Sequence, residues 1–403
     1  MTRLSHLAPI ALLLIGVAAC ERDAPTAPPP DASLDAPVDF GLSSLGRPLA
    51  MLSVDQRLLF QRGRVVFQTV FTPATGLGPL FNANACATCH VSPVPGGVGP
   101  QVETHQSAFV ADVCSDLEDI GGQVIQDSAT PALQAFGVMK EPLLLEASGT
   151  GHRTTGNLMG FGLLEAIPDA EILARADPDD RNQDGISGRP DMTADGRVGR
   201  FGRKAQAATL DEFIAGAFIY EMGITNADEP DEQTIHGNPL PDGVDPTPDP
   251  ELSAEDFDAA VAFVRFLAPP TARRFRFSFG DRRGRYLFAR TGCGGCHTPA
   301  LFTGRNPTFA LRNRVVYAYS DLLLHDMGPA LTDICLGEAT PSEFRTEPLM
   351  GLRFKTAFLH DGRALSIDEA IRLHGGEGAG ARDRFIALPA REQATLLQFL
   401  AGL

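Results

Sequence analysis

Two copies of one pentapeptide constrain this chain more than any other feature: Cys86-Ala-Thr-Cys89-His90 and Cys293-Gly-Gly-Cys296-His297. Two thiols three residues apart project from a single turn of chain, and the imidazole that follows is held beside whatever they grip. In Cys-x-x-Cys-His the thiols add to the two vinyl groups of a haem and the His becomes the proximal iron ligand. A Cys₄ zinc site or a thioredoxin-like pair would use the cysteines but needs no His after each pair. With nine His in 403 residues, both adjacencies would arise by chance about once in two thousand cases. Two covalently bound c-type haems are therefore expected, on Cys86, Cys89 and His90 and on Cys293, Cys296 and His297.

The surroundings of the motif repeat as well. Phe60-Gln-Arg-Gly63-Arg-Val-Val-Phe67 precedes the first copy and Arg283-Gly284-Arg-Tyr-Leu-Phe288 the second. Gly followed four residues later by Phe places both on one helical face. Cys86 and Cys293 are 207 residues apart, which indicates a duplication with a large insertion. The expected fold is mainly α: two cytochrome c-like domains, the first spanning 50–270 and carrying the insertion, the second 271–403.

The N-terminus suggests an exported protein. Arg3 is the single charge in the first nineteen residues, and the apolar run Ala8–Ala19 is too short to span a bilayer. Residues 1–19 read as a signal peptide. Cys20, directly after the small residues, reads as a lipidated first residue, and Glu21 behind it fits the outer membrane. Residues 20–49, Pro- and Ala-rich at their start, form a tether, so the expected place is the periplasm with membrane contact only through the lipid. A net charge of −16 excludes the basic footprint of a nucleic-acid binder. With five of the seven Cys assigned, Cys114 and Cys335 remain. They form either a disulfide, favoured in an oxidising compartment, or two free buried thiols.

Further segments carry a family resemblance. They are Gly160-Phe-Gly-Leu-Leu-Glu165-Ala-Ile-Pro168, Asp184-Gly-Ile-Ser-Gly-Arg189, Glu221-Met-Gly-Ile-Thr225, Tyr319-Ser-Asp-Leu-Leu-Leu-His325-Asp-Met-Gly-Pro329 and Leu359-His360-Asp-Gly-Arg363. With the two haem motifs, the chain resembles the bacterial di-haem oxidoreductases, relatives of the di-haem cytochrome c peroxidases and of the di-haem enzyme that matures methylamine dehydrogenase. The resemblance implies a peroxide-reducing N-terminal haem, open on its distal side, and a six-coordinate C-terminal haem that relays electrons. Alternatives are an oxidase or oxygenase acting on a protein or organic substrate, and a non-catalytic electron carrier. It also implies a small redox donor (a cytochrome or cupredoxin) and a homodimer.

The resemblance points to particular residues. Glu221 aligns with the distal carboxylate, with Glu165 as the alternative. A distal ligand fourteen residues after His360 falls on His374, where relatives place Met or Tyr. The local pattern agrees: Ser366 and Glu369 read as a capping box, and Ile367, Ala370, Ile371 and His374 share a helical face. His325, Met327 and His360 are further candidates for that ligand. Arg203, Phe344 and Met350 stand where Trp is common in relatives, and this chain has no Trp. Asp180, Asn182, Asp184 and Asp191 follow the first half and the twelfth position of a calcium loop, so calcium is a second expected ligand. Residues 224–258 hold eleven acids, six Pro and no Lys or Arg, which reads as a solvated loop.

Overall fold

The computed structural model describes residues 45–270 and 279–403. The signal segment 1–19, Cys20 and the tether up to residue 44 lie outside the described residues. The helix Val54–Gln68 opens on a full capping box, in which the Ser53 hydroxyl accepts from the Gln56 N–H and the Gln56 side chain accepts from the Ser53 N–H. Its buried face is Phe60, Gly63, Val66 and Phe67. That face packs on Ala254–Phe266, itself capped by Ser253. A Cβ on Gly63 would lie 1.8 Å from the Ala259 carbonyl oxygen, so only glycine allows this approach.

The same device recurs in the second half. Phe279–Arg290 packs on Ala390–Leu400, and a Cβ on Gly284 would meet the Phe399 Cβ at 2.3 Å. Each close-packed pair leads into a short helical turn, Cys86–Cys89 in the first case and Cys293–Gly295 in the second. The repeated Gly-x-x-x-Phe thus marks a repeated helix contact as well as a repeated sequence.

The expectation of a mainly α fold does not hold. Among the described residues helix makes up 32% and strand 14%. Much of the strand lies in the insertion, where Val102–Val110 pairs antiparallel with Val113–Ser115, Val124–Ile125 and Gly149–Thr154. Shorter antiparallel pairs join Leu80–Phe81 to Ser128–Ala129 and Leu324–Asp326 to Glu343–Arg345. Strands of two or three residues carry no usable period-2 signal, and the helical periodicity near the cysteine motifs dominates any reading of the whole.

The largest hydrophobic core runs across residue 270. Phe60, Phe67 and Phe263 belong to it, and so do Leu301, Leu311, Val316, Leu322 and Leu323. A second core gathers Leu287, Phe288, Phe385, Leu396 and Phe399. The described residues belong to one compact unit. Among the described residues no helix is long and apolar enough to cross a membrane. Cys114, in the edge strand Val113–Ser115, is bonded to Cys335 across 221 residues. Cys335 is fully buried, and its N–H donates to Ser107 Oγ at 3.0 Å, so the sheet is tied to the C-terminal half beside its central strand. Replacing both cysteines with Ala should cost about 2–4 kcal/mol of stability, since the crosslink closes a long loop. Urea unfolding of the double variant checks this, and an unchanged midpoint would contradict it.

Candidate functional site

The first motif ends against a cavity of about 770 Å³ lined by His90, Glu103, His105, Tyr220 and Glu221, with Arg153, Arg203 and Arg345 on its wall. His90 Nδ1 lies 2.9 Å from the Gly156 carbonyl and 3.1 Å from that of Gly97. A carbonyl only accepts, so Nδ1 carries the proton and Nε2 keeps a free lone pair. Burial lowers the His90 pKa, which favours the neutral ring.

Glu221 lies in the last turn of the helix Leu210–Met222. Its backbone carbonyl accepts from Asn82 and Ala83 N–H, and its Oε2 accepts from Asn82 Nδ2 at 2.9 Å. The segment leading into Cys86 is thereby fastened to Glu221. Glu103 and His105 come from the long strand; alternation along a strand puts i and i+2 on one face, and both reach the cavity. Burial and the neighbouring Glu103 charge push Glu221 well above the usual carboxylate range. Burial opposes the charge on Glu103, but hydrogen bonding and attraction from His105 hold it below that range. His105 Nε2 sits 3.5 Å from Glu103 Oε2. The surroundings thus bias the two carboxyls in opposite directions, Glu221 toward its protonated form and Glu103 toward its ionised form. The sequence reading missed Glu103, His105 and Asn82; Glu103 and His105 are separated from Glu221 by more than a hundred residues, and no helical pattern links them.

The second motif lines a cavity of about 380 Å³ with Phe288, Leu349, Leu352, Phe358, Ile367, Ala370, Ile371 and His374. His297 Nδ1 donates to the Tyr319 carbonyl at 3.0 Å, and His374 Nδ1 donates to the Ala370 carbonyl at 2.7 Å. Both rings keep Nε2 free. Burial lowers the pKa of both, that of His297 to about 4. The helix beneath His374 is Ile367–Arg372, and its Ser366 hydroxyl accepts from the Glu369 N–H. The return bond of the expected capping box goes instead to Leu365, whose N–H donates to Glu369 Oε2 at 2.8 Å.

His325 is committed elsewhere. Its Nδ1 is 2.6 Å from Glu377 Oε2 and its Nε2 3.0 Å from Asp321 Oδ2. Burial works against its charge, but the two carboxylates, with Cys296 Sγ also in reach, raise its pKa to about 12. Held as imidazolium with both nitrogens occupied, it has no lone pair for a metal. His360 stacks on Phe344 with ring centroids 4.3 Å apart. Met327 also lines the cavity.

Two expected sites take other roles. Glu165 does not line the His90 cavity: its carboxylate accepts from Arg265 at 2.6 and 2.9 Å and from the Leu210 N–H at 2.9 Å. It thus caps the first turn of the helix Leu210–Met222, whose last turn holds Glu221. The calcium set does not assemble either. Asp180 Oδ1 accepts from the Asp184 and Gly185 N–H groups, while Asp191, buried, accepts from the Glu338 N–H. The motif is an Asx turn, and its twelfth residue serves a different loop. Among the described residues the carboxylates that do converge are Glu232, Asp245, Asp249 and Glu251, with oxygens within 4.8 Å of one another. The acidic loop is therefore folded inward, not wholly solvated.

A family model described as "di-haem oxidoreductase, putative peroxidase" matches residues 127–403. The chain belongs to the di-haem oxidoreductase family. It is accordingly an oxidoreductase, and the family implies haem cofactors. No curated protein matches the chain. Similar solved structures include Kuenenia stuttgartiensis hydrazine synthase (15% identity, 98% of this chain and 100% of that one, TM-score 0.42). A MauG-like protein associated with microbial copper homeostasis has 16% identity over 90% of this chain and 93% of that one, with TM-score 0.40. The diheme peroxidase BthA of Burkholderia thailandensis has 15% identity over 88% and 86%, with TM-score 0.42. The residues present fit haem: two cavities, each beside a free-thiol pair and each carrying a neutral imidazole whose Nδ1 proton is already committed to the backbone.

The acidic cluster sets a pH dependence of stability. Burial, then the neighbouring carboxylates, push Glu232 up to about 9 from 4.5; burial likewise takes Glu251 to about 7. An acid whose folded pKa is raised binds more protons folded than unfolded, so stability falls as pH rises from about 4.5 to 9 and levels off above. Thermal unfolding should show Glu232→Gln flattening that decline; a parallel slope in wild type and variant would contradict it.

Proposed function

We propose that this di-haem oxidoreductase reduces hydrogen peroxide in the His90 cavity with electrons received through the His297 cavity. Both haems would be c-type, bonded at Cys86 and Cys89 and at Cys293 and Cys296, with His90, His297 and His374 on iron. Bound haem supplies the electron changes at iron; the chain supplies the unlike surroundings. The observation that carries the reading is the contrast between the cavities. The one at His297 offers a second free imidazole, His374. The one at His90 offers a protonated carboxyl, Glu221, in roughly twice the space.

Reduction of peroxide to two waters consumes two electrons and two protons. Glu221 holds a proton at its carboxyl beside the cavity, and Asn82 fixes the orientation of that carboxyl. Glu103, ionised and hydrogen-bonded to His105, keeps the proton on Glu221 and is placed to pass the next one in. A general acid so positioned is worth roughly a hundredfold or more in rate. Around this site the N-terminal sequence supports export to the periplasm and anchoring at Cys20, and the relay role calls for a small cytochrome or cupredoxin as donor. Homodimerisation belongs to the same reading by resemblance to relatives.

Glu221→Gln should lower peroxide turnover about a hundredfold or more while the ferric absorption spectrum and haem content stay as in wild type. Steady-state assay with a reduced small cytochrome measures it. Undiminished turnover would remove Glu221 from the role, and absence of turnover in wild type would favour the oxidase or carrier alternatives.

A further inference from the structure

Between the two cavities lies a group of charges that neither haem attachment nor proton delivery uses. Glu347 stands at its centre. Its Oε2 is 2.7 Å from an Arg203 terminal nitrogen and 3.3 Å from one of Arg345, and its Oε1 accepts from Lys355 Nζ at 2.9 Å. Arg203, Arg345 and Glu347 line both cavities, and Lys355 lines the one at His297. The side chains of Arg203, Arg345 and Lys355 are only 13%, 5% and 9% exposed.

Three cations on one carboxylate leave two positive charges without an anion. Their other partners are neutral: Arg203 donates to the Thr154 carbonyl, Arg345 to those of Gly202 and Thr346. The nearby acids bond to other groups. Asp321 and Glu377 flank His325, which leaves one negative charge over, and Asp333 lies between Arg153 and Lys204, which leaves one positive charge over, so the excess around Glu347 stands. Withdrawing charges from water costs several kcal/mol per ion unless an opposite charge meets them, and guanidinium groups pair best with carboxylates in a two-pronged geometry. A fold that keeps this excess at the common wall of two cofactor cavities is built to receive anions there.

We propose that Arg203, Arg345 and Lys355, gathered on Glu347, form one anion site shared by the two cavities, and that the anions it receives are propionate carboxylates of both haems. This rests on the reading of two haems given above. The cluster sets the electrostatics of both cofactors at once. A cation close to a haem edge favours the reduced state, so loss of one shared cation moves both potentials in the same direction.

The test uses the full-length holoprotein with Arg203→Gln and Glu347→Gln. Haem content is counted by pyridine haemochrome, midpoint potentials by potentiometric titration, and propionate contacts by the propionate-bending bands in resonance Raman spectra. Arg203→Gln should retain two haems, lower both potentials and shift the bending bands of both. Glu347→Gln should raise both potentials, and it carries the test with opposite sign should the arginine variant not fold. Unchanged bending bands, or a shift confined to one haem, would overturn the shared site. Fewer than two haems in the unmodified protein would instead overturn the reading beneath it, and the haemochrome count separates the two failures.

Discussion

Each motif imidazole gives its Nδ1 proton to a main-chain carbonyl, His90 to Gly156 and Gly97 and His297 to Tyr319, and the rest of the arrangement depends on that bond. It fixes the tautomer, restrains the ring, and leaves Nε2 as the only nitrogen with a free lone pair. The acceptors are backbone atoms, so the bond is as rigid as the chain that carries them. Tyr319 is itself held by edge-on contacts with Phe288 and Phe399, and Phe399 is the residue against which Gly284 lets the leading helix close. Helix packing, aromatic packing and imidazole orientation form one connected set in the second half.

The two halves share that device and differ in what faces it. Opposite His297 the chain presents His374 in a largely apolar cavity, neutral because burial opposes its charge. Beside His90 it presents a carboxyl pair biased in opposite directions, Glu221 from a helix and Glu103 from a strand. The insertion between the halves is what makes them unlike. It contributes the strand bearing Glu103 and His105, the partner strand bearing Arg153, and Cys114, which fastens the sheet to the second half. The charged wall around Glu347 lines both cavities.

How much of this was legible in the sequence follows from which signals are local. The motif cysteines and histidines, the two Gly-x-x-x-Phe helices and the apolar stripe ending at His374 are short-range patterns; both helices form, and Ile367, Ala370, Ile371 and His374 line one cavity although the helix stops at Arg372. The sheet was not legible, because most of its strands run two or three residues and its long one lacks clean alternation. Glu103 was invisible for the same reason: its role comes from register, opposite Arg153, and register is a tertiary fact. The Asp180 loop misled because Asx turns and calcium loops draw on the same residues, and only the fate of Asp191 tells them apart. Glu165 misled in a related way, since a carboxylate in a shared segment serves equally as a helix cap.

The account turns on one claim, that a repeated attachment unit yields two unlike haems because of what stands opposite each His. Electron paramagnetic resonance of the ferric protein, read with and without His374→Gly, tests it most directly. The account predicts one high-spin and one low-spin signal in the unmodified protein, with the low-spin signal lost in the variant and the high-spin one retained. Two low-spin signals in the unmodified protein, or a low-spin signal that survives His374→Gly, would contradict it.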